Sequence, residues 1–176
     1  LKLSQLTPQE LTTIHKRSEG DIESALTIAQ SVIQDIRQQG DSAVIKYARK
    51  FDYDGATVAN IRVTEAEFAQ ARELVAPEVK KAVNHAFNNI KEVHQRQLPE
   101  EIQLAEIEPG VLAGEKITPI GSAGLYVPRG RGAFPSMMLM LTIPAMVAGV
   151  KRIMVCTPPD KQGNVEPVSL LTAEMA

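Results

Sequence analysis

Residues 124–156 read GLYVPRGRGAFPSMMLMLTIPAMVAGVKRIMVC, and the order of textures in this stretch decides the fold class. GLYV is a short apolar strand that breaks into a turn carrying two prolines, two arginines and two glycines. An apolar helix follows, with Met137, Met138, Met140 and Met146 filling core, and RIMVC at 152–156 reads as a buried strand. Thr157-Pro158-Pro159 ends it. Strand, helix, strand at this spacing is a βαβ unit, which predicts a parallel pair with a right-handed crossover and places the chain in the α/β class.

Ligands of open parallel sheets collect at the carboxyl ends of strands, where loops enter helices. The segment from Tyr126 to Ser136 lies at such an end. A helix starting near Pro135 or Ser136 offers unpaired N–H groups and the positive end of its dipole. Gly130 and Gly132 let backbone approach a ligand, Arg129 and Arg131 supply guanidinium donors suited to phosphate or carboxylate, and Tyr126 can stack a ring. The dinucleotide fingerprint G-x-G-x-x-G nevertheless fails, because Pro135 stands where its last glycine belongs. On chemistry alone, a ligand site and a tight structural corner both stay open.

Working outward, composition sets bounds. The chain has 176 residues, 44% hydrophobic and 23% charged, as in an ordinary globular protein. Nineteen lysines and arginines against 21 aspartates and glutamates argue against a general role on nucleic acid or membrane surfaces. A single cysteine, Cys156, excludes an internal disulfide framework and suits a reducing cytoplasm. The longest apolar run, Met137 to Val150, is broken by Thr142 and Pro144 and is too short to span a bilayer. Leu1 in place of methionine, and SLLTAEMA at 169–176 read as a helix with neither cap nor return strand, lead us to expect the front part of a longer chain.

The region before residue 100 is helical in pattern. Thr7-Pro8-Gln9-Glu10 fits a capping box, and Ile22, Ala25, Leu26, Ala29, Val32, Ile33 and Ile36 recur at helical spacing up to Gln39. Gly40 stops that helix and Asp41 caps the next, which ends near Phe51. Residues 59–63 (ANIRV) alternate as a half-buried strand does. Thr64-Glu65-Ala66-Glu67 is a second capping box, Pro77 opens a long helix fading at Gln97-Leu98-Pro99, and residues 101–127 carry the Gly/Pro punctuation of a hairpin or meander. The many carboxylates of the N-terminal helices form solvated faces.

Other candidate groups are weaker. His15, His85 and His94 sit in predicted helices without a second ligand at metal spacing, and read as solvent-facing or locally satisfied. Cys156 lies at a strand end near the presumed binding edge, but no base can be named for it, and it reads as a small buried hydrophobe.

Three stretches together carry a more specific signal: IRQQGDSAVIKYARKFD at 36–52, PGV at 109–111, and ITPIGSAGLYVPRGRGAFPSMMLMLTIPAMVAGVKRIMVCTPP at 117–159. They closely resemble the histidinol dehydrogenase family, in unbroken order over nearly the whole chain. The resemblance implies a cytoplasmic, zinc- and NAD-dependent oxidoreductase of histidine biosynthesis, oxidising L-histidinol through the aldehyde to L-histidine with two hydride transfers to NAD. It further implies a homodimer of intertwined subunits, without nucleic-acid or membrane partners.

The architecture implied is a helical arm (residues 1–20), the N-terminal part of a first incomplete Rossmann-like lobe (21–123), and the start of an NAD-binding lobe (124–176). Tyr126 matches the family's NAD-contacting tyrosine, with Pro128 and Gly130 assigned to the same cofactor site. The family's zinc ligands and its glutamate–histidine base lie later in its sequence. No catalytic or metal-binding residue is therefore expected within residues 1–176, and these residues alone are expected to be inactive.

Many members have Pro-Gly-Gly where this chain has Pro128-Arg129-Gly130. That keeps two alternatives in view. One is a paralogue oxidising another polar alcohol, with Arg129 or Arg131 reading an acidic group. The other is a non-catalytic nucleotide-binding or dimerisation module.

Overall fold

The computed structural model describes residues 6–16, 19–129 and 132–176, with the backbone alone for residues 13, 15, 16 and 19–21. The chain divides into two compact units, Leu1–Ile61 and Arg62–Ala176.

The first unit holds α1 (Pro8–Lys16), α2 (Glu19–Gln39) and α3 (Asp41–Phe51). The predicted capping box opens α1: the Glu10 N–H donates to Thr7 Oγ1 at 3.3 Å and the Thr7 N–H donates to Glu10 Oε2 at 2.8 Å. Gly40, at φ 58°, turns the chain from α2 into α3, a conformation that favours glycine. The sequence reading made Asp41 the cap of α3. In the structure Gly40 takes that position and Asp41 falls in the first helical turn, because one residue makes the whole connection. Across the hairpin the Asp35 carboxylate accepts from Tyr47 Oη at 2.6 Å and Lys46 Nζ at 3.0 Å. The Tyr47 hydroxyl first, and then Lys46, hold the Asp35 carboxyl below its usual range.

Residues 59–63 are not a strand. The Asn60 side chain accepts from the Thr57 N–H at 2.7 Å and donates to the Gly55 carbonyl at 3.0 Å, while the Ile61 N–H donates to the Thr57 carbonyl. An asparagine that bonds its own neighbourhood offers the backbone a turn in place of a sheet ladder, and here the turn wins.

The second unit runs α4 (Glu65–Leu74), α5 (Pro77–Gln95), β1 (Ile102–Glu108), β2 (Val111–Lys116), β3 (Ser122–Tyr126), α6 (Pro135–Val147), β4 (Arg152–Cys156) and α7 (Pro167–Glu174). The Thr64–Glu67 capping box forms in full. The Thr64 N–H first, then its hydroxyl, hold the Glu67 carboxyl below its ordinary value of 4.5. A depressed carboxylate contributes fully above its unfolded value, and the contribution is lost as pH falls through the folded value. Glu67→Ala is expected to cost about 0.3–1.5 kcal/mol at neutral pH. In denaturant titrations at a series of pH values, that deficit should shrink once the pH drops below 4.5.

β1 and β2 pair antiparallel around Gly110, the hairpin the Gly/Pro punctuation predicts. β3 and β4 pair in parallel, from Ser122↔Arg152 to Tyr126↔Cys156. Between them lies α6, apolar on every side. It contacts both strands, α5 and α7. Its residues Leu139 and Ile143 form a buried core with Val83 of α5, flanked by Phe87, Ile90, Met146 and Val168. Thr142 is buried without loss because its hydroxyl donates to the Met138 carbonyl at 2.8 Å. α6 closes in a Schellman motif: the Val150 N–H reaches the Ala145 carbonyl and the Gly149 N–H the Met146 carbonyl, with Gly149 at φ 79°. α4 also packs on α7, where Arg72 pairs with Glu174.

Two expectations about the core need correction. Met138 is buried, but Met140 is 61% exposed, since it falls on a side of α6 that no described element covers. The RIMVC strand is not buried throughout. In both β3 and β4 exposed and half-buried residues alternate, because α6 covers one face of the pair and no described element covers the other.

Candidate functional site

The carboxyl ends of β3 and β4 are held level by one further ladder bond, from the Val127 N–H to the Cys156 carbonyl at 2.9 Å. Val127 is buried, and Pro128 and Arg129 then leave the sheet. On the neighbouring strand Thr157 and Pro158 do the same. α6 starts at Pro135 with no side chain capping it, and α7 starts at Pro167 after Glu166. Proline at the first helical position suits both starts, since its missing N–H would have had no partner.

A shallow cleft, enclosing about 10 Å³ or roughly the space of one water molecule, opens between these loops and helix starts, lined by Val127, Pro128, Arg129, Ala133, Phe134, Thr157, Pro158, Val165, Glu166 and Ser169.

Its polar edge is an ion pair: Arg129 Nη2 lies 3.1 Å from Glu166 Oε1, with both side chains about one-third exposed or less (27% and 33%). The loop from β4 to α7 is organised by Asp160, whose Oδ1 accepts from the N–H groups of Gln162 at 2.9 Å and Asn164 at 2.8 Å. The Asn164 N–H is the main cause holding the Asp160 carboxyl below its usual range, and the Arg129 charge adds to it.

Pro128 lines the cleft. Tyr126, two residues earlier, does not; it stands 63% exposed on the uncovered face of β3, beside Cys156 in the parallel register. Gly130 and Arg131 lie outside the described residues. Cys156 is exposed, against the expectation of a buried hydrophobe, because position 156 falls on the uncovered face of the sheet. His85 bonds Asn89 and His94 bonds Gln97, each within its own helix end or turn, and the side chain of His15 lies outside the described residues. Among the described residues no three His, Cys, Asp or Glu side chains gather closely enough to hold a metal, so these residues do not fit a zinc site. No helix among them is long and apolar enough to cross a membrane.

Sequence reading missed Thr157, Glu166 and Ser169. Only Glu166 left a trace, as the residue before a proline that starts a helix. Its pairing with Arg129 spans 37 positions and has no local signature.

Comparison with known proteins adds the remaining finding. A family model described as histidinol dehydrogenase matches residues 15–176. The chain is 63% identical over 176 residues to histidinol dehydrogenase of Synechocystis sp., covering all of this chain and 41% of that protein. It is 41% identical over 175 residues to histidinol dehydrogenase of Methanosarcina barkeri, covering 99% of this chain and 40% of that one. A histidinol dehydrogenase homolog of Colwellia psychrerythraea is 37% identical over 174 residues, 99% of this chain and 39% of the relative. The crystal structure of histidinol dehydrogenase from Elizabethkingia anophelis superposes with a TM-score of 0.77 at 39% identity, over 85% of this chain and 34% of that one. The chain thus spans about two-fifths of the length of the relatives it matches. With the family model matching nearly all of its residues, the chain belongs to the histidinol dehydrogenase family.

Proposed function

We propose that the protein is an NAD-dependent histidinol dehydrogenase, oxidising L-histidinol through the aldehyde to L-histidine. The observation that carries this reading is 63% identity along the whole chain to the Synechocystis histidinol dehydrogenase. Relatives described as homologs of the enzyme lie at 37–40%, the same range as the archaeal histidinol dehydrogenases at 38–41%, so it is the 63% match that favours histidinol over another polar alcohol.

Residues 124–176 are the start of the NAD-binding lobe, following a helical arm (1–20) and the N-terminal part of a first lobe (21–123). Tyr126, Pro128 and Gly130 belong to the cofactor site. NAD, when bound, supplies the acceptor for each hydride. What this chain's residues contribute is position. The ladder bond at Val127 fixes the strand end, Pro128 stiffens the exit from it, and the loops across the cleft wall one side of the ligand. Tyr126 offers an exposed ring on which a base or nicotinamide can stack. Zinc and a proton-accepting base belong to the activity but not to residues 1–176, and these residues alone are inactive. The working protein is a cytoplasmic homodimer.

The test is steady-state kinetics of the native full-length protein with L-histidinol, NAD and zinc. Two reduced NAD molecules are expected for each histidinol consumed, one per oxidation step. Absence of NAD reduction with histidinol, alongside reduction with another amino alcohol or polyol, would move the protein to a different substrate.

A further inference from the structure

We infer that Arg129 and Glu166 form a positioning pair, clamping together the loops that leave the carboxyl ends of β3 and β4 and so setting the width of the cleft between them. The inference rests on the reading of that cleft as part of the NAD site.

Each partner is anchored by its own backbone. Arg129 follows Pro128, whose ring fixes one backbone dihedral, and Val127, bonded to the Cys156 carbonyl at 2.9 Å. Glu166 is the residue at which α7 begins, and its carbonyl accepts from the N–H groups of Ser169 at 2.9 Å and Leu170 at 3.1 Å. A side chain there commonly caps the helix it precedes. The Glu166 carboxylate does not; it reaches across the cleft to the Arg129 guanidinium at 3.1 Å.

This arrangement also bears on Arg129 as a reader of acidic substrates. An anion approaching Arg129 would have to displace Glu166 and would meet the field of Asp160, already coupled to the same arginine. Two carboxylates around one guanidinium make the locality net negative, a poor receptor for an anionic group. The arginine acts through the loop it holds.

The experiment is a double-mutant cycle in the native full-length protein, with Arg129→Gln, Glu166→Gln, the double variant and Arg129→Lys, read as NAD dissociation constant and as KM for NAD. For a partly exposed pair each single Gln variant should weaken NAD by about three- to fivefold. The double should be no weaker than the worse single, and the shift should fall on KM for NAD more than on kcat. Arg129→Lys, which keeps a charge for Glu166, should recover much of the loss.

A loss on Arg129→Gln with none on Glu166→Gln would mean that the arginine touches the ligand directly, and would overturn the clamp. So would losses that multiply in the double variant. Should the wild-type protein bind no NAD, the proposed function fails, and the clamp is then judged by amide hydrogen exchange. Faster exchange at Val127, Arg129, Val165 and Ser169, equal in both singles and the double, supports it; unchanged exchange overturns it.

Discussion

Ile143→Ala is expected to lower stability by about 2–5 kcal/mol, the range for emptying a large aliphatic side chain from a packed core. Ile143 is 0% exposed and contacts a cluster built from two helices, with Val83 of α5 and Leu139 one turn earlier on α6. α6 touches α5, α7 and both strands of the parallel pair, so several elements would have to move together to close the cavity. Urea unfolding of the native protein, followed by far-ultraviolet circular dichroism, measures the loss. Met140→Ala is the control, since Met140 sits three residues away on the same helix but is 61% exposed. Its effect should stay within about 0.5 kcal/mol. Equal losses at the two positions would refute the core assigned to α6.

Tyr126→Ala is expected to weaken NAD binding about tenfold or more, the scale on which an aromatic side chain stacks a base. Because Tyr126 is 63% exposed, the same change should leave unfolding within about 0.5 kcal/mol of the wild type. Binding and folding are thereby separated in a single variant. The dissociation constant can be measured by calorimetry, with zinc content followed in parallel and expected to be unaltered. An NAD affinity equal to that of the wild type would remove Tyr126 from the site and leave Pro128 and the cleft as the only described part of it.

The helices were legible because their signals are local. A capping box closes within four residues, as at Thr7–Glu10 and Thr64–Glu67, and Pro77 starts α5 without help from any distant residue. The βαβ unit was legible for a related reason: an apolar run too long for a strand, set between two short β-rich runs, has few other ways to fold. The misses were competitions. At residues 59–63 the alternation of a strand lost to an asparagine side chain that bonds the backbone around it. At Cys156, Met154 and Met140 an apolar residue type was read as buried, but burial depends on whether another element arrives to cover that side.

The candidate site divides along the same line. Pro128, Tyr126 and the turn that follows β3 could be marked from the sequence, since strand ends and helix starts are local features. Arg129 could be marked as a cation, but not as one already paired. By itself the sequence determined the α/β class, the presence of the helices, the family and the strand end at which the cleft lies. Only the tertiary structure decided that Tyr126 faces away from that cleft and that Glu166 crosses it to Arg129. The first depends on which face of the strand α6 covers, and the second on a contact across 37 residues. Neither is encoded in local spacing, because each arises only when separate elements meet.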